Sequence, residues 1–230
     1  GVRLSGALNT TVGGTTIGAG NVIAFNGQTA EIGIGTGLEV LSGTGNSIRG
    51  NYIFSNGRLG IDFDNDGVTV NDAGDGDTGP NNRQNFPIIT SVVSEPSQTT
   101  ITGTLNSTPS TTFAINFYSN ASCDPSGNGE GAKPFGLISI PVTTNANGNA
   151  SFAVAMSTPL PAGRVLTATA TDPSGNTSEF SPCDPSKAMG SAQFSSLSYK
   201  AVEGVVFAAR IGRALADGAM SGAARGAVTG

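Results

Sequence analysis

Two seven-residue phrases, Asn21-Val-Ile-Ala-Phe-Asn26-Gly27 and Asn51-Tyr-Ile-Phe-Ser-Asn56-Gly57, recur at a spacing of 51 − 21 = 30 residues. Each is reached through a Gly-rich run that carries an isoleucine, Ile17 or Ile48. A phrase that returns at such a period marks stacked structural units rather than a single closed core. A second phrase keeps it company: Gly1-Val-Arg-Leu, Gly37-Leu-Glu-Val and Gly60-Ile-Asp-Phe. Its second and fourth residues are apolar and its third is charged, which is the alternation of a β-strand.

A unit of short strands and Gly/Asn corners cannot bury its apolar side alone but can do so by lying on the next unit, so the pattern predicts a parallel β-solenoid. Asn21 and Asn51 are then equivalent corners of adjacent turns, with Ile23 and Ile53 inside. Stacked Asn amides can bond to one another along the axis. Residues 1–85 resemble the last turns of a right-handed parallel β-helix from large bacterial secreted and surface proteins. Asn-Thr-Thr-Val-Gly-Gly-Thr (9 to 15), Gly-Asn-Ser-Ile-Arg-Gly-Asn (45 to 51) and Gly-Ile-Asp-Phe (60 to 63) carry that resemblance.

After Phe63 comes a stretch to Asn82 too rich in Asp, Asn and Gly to be strand throughout, which closes the solenoid. Runs of period two follow: Phe86 to Val93, Thr100 to Leu105, Phe113/Ile115/Phe117, Leu137 to Val142, Phe152/Val154/Met156 and Leu166/Ala168/Ala170, with a last short strand near Phe180. About seven strands parted by Pro and Gly clusters predict an immunoglobulin-like antiparallel sandwich over 86–183. Asn85-Phe-Pro-Ile-Ile-Thr, Phe117-Tyr-Ser-Asn-Ala-Ser-Cys123-Asp and Ala168-Thr-Ala-Thr-Asp-Pro-Ser-Gly-Asn-Thr-Ser-Glu-Phe-Ser181 make this segment resemble a bacterial immunoglobulin-like module, from which no activity follows. In the tail, 184–230, Gln193 to Gly204 is similar to the opening strand of a Calx-beta domain. Too few residues remain for a whole sandwich, and helical spacing of Val202, Val205, Val206 and Ala209 is the alternative.

Charged residues make up 12% of the 230 residues, about half the usual share, and the net charge is −5. Without a basic field to neutralise phosphates, nucleic acid is not an expected partner. No apolar run reaches the length of a membrane span. The chain opens at Gly1 without the charged and apolar regions of a signal peptide, so we expect a segment of a longer protein. The absence of His removes the Ser-His triad and His-ligated zinc. The two cysteines, Cys123 and Cys183, stand in matching Cys-Asp-Pro-Ser contexts. They are read as a disulfide, which implies an oxidising compartment and an extracellular or cell-surface location; two reduced cytosolic thiols are the alternative.

One motif carries ligand chemistry. Asp62-Phe-Asp64-Asn-Asp66-Gly67 matches the opening of a calcium loop, where alternate carboxylates converge on one ion. The twelfth position, which an EF-hand fills with Glu or Asp, is Ala73, but Asp72, Asp75 and Asp77 can supply oxygen from an irregular loop. A structural Ca²⁺ held by these six residues is one reading; a self-bonded Asp/Asn/Gly corner is the other. Asp172, Asn176 and Glu179 form a second acidic set, read as a turn first and as a second calcium candidate otherwise. The β-helix resemblance admits polysaccharide lyases and hydrolases, and toward these only Arg49, Arg58 and Asp62 can be nominated. The solenoid segment lacks the aromatic surface of a sugar cleft, so no catalytic residue is assigned here. The expectation is a non-catalytic stalk or adhesin-like display segment, with surface polysaccharide or protein as partner. The rival is the end of a carbohydrate-active enzyme whose site lies upstream.

Overall fold

Alternating apolar residues and Gly/Asn corners give the first third of the chain seven three-residue strands: β1 (Val2–Leu4), β2 (Thr11–Gly13), β3 (Val22–Ala24), β4 (Leu38–Val40), β5 (Ser47–Arg49), β6 (Tyr52–Phe54) and β7 (Ile61–Phe63). The structure, a computed structural model, describes residues 1–27, 35–136 and 139–184. The seven strands lie in three parallel sheets, ordered β1-β4-β7, β2-β5 and β3-β6. Val2, Arg3 and Leu4 stand over Leu38, Glu39 and Val40, which stand over Ile61, Asp62 and Phe63. The tetrapeptide phrases thus stack residue upon residue, in three tiers.

Inside the tiers Leu38, Val40, Ile48, Ile53, Ile61 and Phe63 are essentially sealed from solvent, and Ile23 lies directly over Ile53. The matched asparagines bond as the repeat predicts: Asn21 donates from its backbone and from Nδ2 to Asn51 Oδ1, both at 3.0 Å, and Asn26 Nδ2 donates to Asn56 Oδ1 at 2.7 Å. Each lower amide also reaches up, Asn51 Nδ2 to the Val12 carbonyl at 2.8 Å and Asn56 Nδ2 to that of Ile23 at 3.2 Å. One detail of the repeat is corrected. Ile48 pairs with Val12, while Ile17 is 88% exposed. Val12 precedes Asn21 by 21 − 12 = 9 residues but Ile48 precedes Asn51 by 51 − 48 = 3, so the first tier carries an inserted turn that holds Ile17 outside. At the matching corner of the second tier Gly50 has φ +65, and a Cβ there would lie 2.0 Å from the Gly14 carbonyl oxygen. Only glycine fits that approach.

A 3₁₀ turn, Pro80–Arg83, leads into two antiparallel sheets. One has the order β13 (Asn149–Met156), β9 (Gln98–Asn106), β8 (Ile88–Glu95). In the other, β10 (Thr112–Asn120) pairs along one edge with β14 (Val165–Thr171) and along the other with β12 (Ile140–Thr143) and the short β11 (Lys133–Pro134). Their inward faces close on Ile101, Leu105, Phe113, Ile115, Phe117, Val142, Phe152, Leu166 and Ala168. The expected strand over Leu137 to Val142 starts at Ile140, and its first two residues lie outside the described ones.

The short strand expected near Phe180 takes another form. Ser178, Ser181 and Asp184 donate their backbone N–H groups to the carbonyls of Ala170, Ala168 and Leu166. Their side-chain oxygens accept the N–H groups of the same three residues. A side-chain oxygen at every third residue replaces the strand ladder, and β14 is left with no edge open to a further strand. The tail from 185 onward, with its Calx-beta-like phrase, lies outside the described residues. All the sheets described pack as one compact unit.

Asn51 is 1% exposed and holds both tiers at one corner. Asn51→Ala takes the partner of the Asn21 N–H and one of the donors to the Val12 carbonyl, and a loss of about 2 kcal/mol is expected. Urea unfolding at unchanged slope measures it; a loss below about 0.5 kcal/mol, the surface-substitution range, contradicts the ladder's role.

Candidate functional site

Strands β5, β6 and β7 each end a parallel sheet and have a partner on one side only. Their free side faces the antiparallel sheets, and side chains and loops from those sheets supply a partner to at least one backbone group of each strand. Ile53 of β6 exchanges two backbone bonds with Gly131, at 2.8 and 3.0 Å. Gly131 is required there, because a Cβ would stand 2.4 Å from the Phe180 ring. At β5 the Ile48 N–H donates to Thr177 Oγ1 at 3.0 Å, and just before it the Gly45 N–H donates to Asn176 Oδ1 at 2.6 Å. The Asn56 corner donates its backbone N–H and Nδ2 to Glu130 Oε1, at 3.1 and 2.6 Å. Beneath Asn46 the amide series continues into Asn81, whose Oδ1 accepts the Asn46 N–H at 3.0 Å while its Nδ2 reaches the Asn46 and Thr177 carbonyls. Tyr118 and Phe180, edge to face with centroids 5.2 Å apart, fill the end of the apolar stack.

The third edge, β7, is closed by a carboxylate. Glu179, 2% exposed, accepts from the N–H groups of Phe63 at 2.7 Å and Thr69 at 2.9 Å and from the Thr69 hydroxyl at 3.2 Å. Beside it Asp62 is fully buried; Oδ1 accepts from the Gly67 N–H at 3.3 Å, and Oδ2 is buried with no hydrogen-bond partner among the described residues. Burial pushes the Glu179 carboxyl up to about 7, and the neighbouring Asp62 charge adds to this against the pull of the Phe63 and Thr69 donors. Burial likewise pushes Asp62 up to about 6, opposed by Gly67 and Arg58 and assisted by Asp66 and Glu39. One tier up Glu39 pairs with Arg3 at 2.7 Å.

The six candidate calcium ligands divide. Asp72, Asp75 and Asp77 bring carboxylate oxygens within 4.8 Å of one another. Asp75 is fixed by the Asn85 N–H at 2.8 Å and the Ser107 hydroxyl at 2.6 Å, whereas Asp72 Oδ1 and Asp77 Oδ1 are buried with no hydrogen-bond partner among the described residues. Burial raises the carboxyl pKa values of Asp75 and Asp77, and the crowding of Asp72 raises them further. Such oxygens suit a hard divalent cation. Asp62, Asp64 and Asp66 do not converge as the calcium-loop motif requires. The strand stops at Phe63, and Asp64 and Asn65 turn left-handed at φ 56 and 58. Asp64 consequently swings out to Arg83 at 2.6 Å while Asp62 stays inside. The set Asp172, Asn176 and Glu179 also separates. Asp172 takes both donors of Asn176, N–H and Nδ2, at 2.8 Å each, a closed turn, and Glu179 points to β7.

Of the residues nominated for catalysis, Arg49 is committed to β10, donating to Asn116 Oδ1 at 3.1 Å and to Ser139 Oγ. Arg58 donates to Asn65 Oδ1 at 3.3 Å and lies near Asp62. Cys123 and Cys183 are bridged, their Cα atoms 5.9 Å apart. The bridge closes a 60-residue separation, worth roughly 4 kcal/mol in the loop-entropy picture. It also ties the segment leading to Gly131 onto the one that carries Phe180, since Cys183 N–H bonds the Gly127 carbonyl and Gly129 N–H that of Ser181.

Sequence reasoning saw in the closing phrase 168 to 181 an acidic set within a turn rather than partners for the parallel strands, and it passed over Glu130, Gly131 and Asn81. Asn81 alone carried a usable signal, an Asn in a turn-rich stretch after two Asn-marked tiers. No helix among the described residues is long and apolar enough to cross a membrane. Comparison with protein-family models, curated proteins and solved structures finds no match for this chain.

Proposed function

We propose that residues 1–85 are the closing turns of a right-handed parallel β-helix and that 86–183 is an immunoglobulin-like sandwich serving as its cap. In this reading the chain is a structural, adhesin-like spacer of a large secreted or cell-surface protein, and residues 184–230 belong to a linker or a following module. The observation that carries the reading is the closure of all three parallel edges by Thr177, Gly131 and Glu179. A module that spends its loop residues on ending a stack acts as a rigid stop and blocks edge-to-edge aggregation. The disulfide supports an oxidising location. A surface polysaccharide or protein is the partner class this role implies.

Incubation of the chain with a panel of neutral and uronate polysaccharides, assayed for new reducing ends and for unsaturated products, tests the spacer reading. No product above the blank is expected. Turnover that falls in Arg58→Ala or Asp62→Asn overturns the reading in favour of a carbohydrate-active enzyme.

A structural Ca²⁺ held by Asp72, Asp75 and Asp77 belongs to the same reading, supported by their convergent and partly unpaired oxygens. By mass action a cation that binds the folded state at tenfold excess over its dissociation constant adds about 1.4 kcal/mol. A chelator-reversible rise in melting temperature at millimolar Ca²⁺ is expected, lost in Asp72→Asn with Asp77→Asn and kept in Asp64→Ala with Asp66→Ala. Equal midpoints in calcium and chelator refute the site.

A further inference from the structure

The seam between β7 and the closing phrase is held by two acidic side chains that water does not reach. Glu179 enters from the sandwich and engages the backbone of Phe63 and Thr69, while Asp62, fully buried beside Phe63, leaves one oxygen unbonded among the described residues. Around them stand Glu39 of β4, in register with Asp62 and paired to Arg3, then Arg58, Asp66 and the Thr69 hydroxyl. Arg58 is the cation facing Asp62, and its guanidinium also bonds Asn65. Asp64, by contrast, turns away to Arg83.

We propose that this seam is a proton-dependent latch, in which Glu179 and Asp62 keep the sandwich closed on the last tier while protonated and let it open when both are ionised. The geometry supplies the means. A protonated Glu179 still accepts from Phe63 and Thr69, and its O–H has the Thr69 hydroxyl oxygen as an acceptor at 3.2 Å. Two carboxylates buried side by side cannot both carry charge without cost, because burial and like charge act in the same direction. The carboxyl shifts agree: the folded values of about 6 and about 7 exceed the ordinary 3.8 and 4.5. The folded seam therefore binds protons more tightly than the open one. Its stability is fully present below about pH 4 and is lost as pH rises through 6 and 7. This sign is opposite to that of a salt-bridged carboxylate. The inference uses the contacts at the seam and does not depend on the spacer reading.

The test is a pair of pH series, 4.5 to 8.5 at constant ionic strength with chelator present, so that any cation at Asp72, Asp75 and Asp77 is removed. Melting temperature and amide exchange are read together. In the wild-type chain the midpoint is expected to be highest at the acid end of the series and to fall as pH rises through neutrality. Opening at the Phe63 and Thr69 amides, corrected for intrinsic exchange, is expected to rise by at least about 100-fold, the ratio that a two-unit displacement of one of the two carboxyls carries. Glu179→Gln, which keeps an acceptor for Phe63, is expected to remove about half of this fall and leave the part that belongs to Asp62. Asp62→Asn removes the neighbouring charge without touching the Glu179 bonds; it is expected to shrink the fall and move it to lower pH. It serves as the deciding variant if Glu179→Gln does not fold. A wild-type midpoint that is level or rises between pH 5 and 8 overturns the latch, as does a full wild-type fall in Asp62→Asn.

Discussion

A parallel strand that ends a stack leaves alternate N–H and C=O groups facing outward, and buried groups of this kind must find partners. This chain has three such strands on one side of its tiers. Its antiparallel sheets meet each in a different way: Gly131 pairs Ile53 as a short strand would, Thr177 offers a hydroxyl to Ile48, and Glu179 offers a carboxylate to Phe63. Much of the rest follows from these contacts. Tyr118, on β10, and Phe180, in the segment after β14, join the apolar stack because the edge contacts hold both against it. The disulfide secures the two segments whose displacement would expose the edge of β6.

The tiers were legible from the sequence because their period is written in residues that each have one job. Apolar positions 38, 40, 61 and 63 face in, and Asn21, Asn26, Asn51 and Asn56 bond along the axis, so the observed register is the one the phrases imply. Legibility failed where the chain inserts. The turn between Gly13 and Gly20 displaced the alignment of Ile17, and Val12, in a less conspicuous phrase, proved to be the partner of Ile48. The alternating strands of the sandwich were equally readable, although the edge of β14 was not: a ladder of side-chain oxygens from Ser178, Ser181 and Asp184 has no period-two signature.

The acidic residues show the limit of motif reading more sharply. Asp62, Asp64 and Asp66 share a face only if the backbone stays extended through all three, and the left-handed turn at Asp64 and Asn65 ends that alignment. Asp62 is left in the interior, where a carboxylate of another segment meets it from a position more than a hundred residues later. Contacts of that range leave no trace in local spacing. Glu179 was visible only as part of a turn phrase, and its partner on β7 was visible only as part of a calcium pattern.

The central claim, that the sandwich ends the parallel stack by satisfying its edges, is tested most directly by residue-resolved hydrogen exchange on the intact chain. If it holds, the amides of Ile48, Ile53, Asn56 and Phe63 are protected to the same free energy as Ile115 and Phe117 in the sandwich core and lose protection with them. Rapid exchange at those four amides while Ile115 and Phe117 remain protected would contradict it.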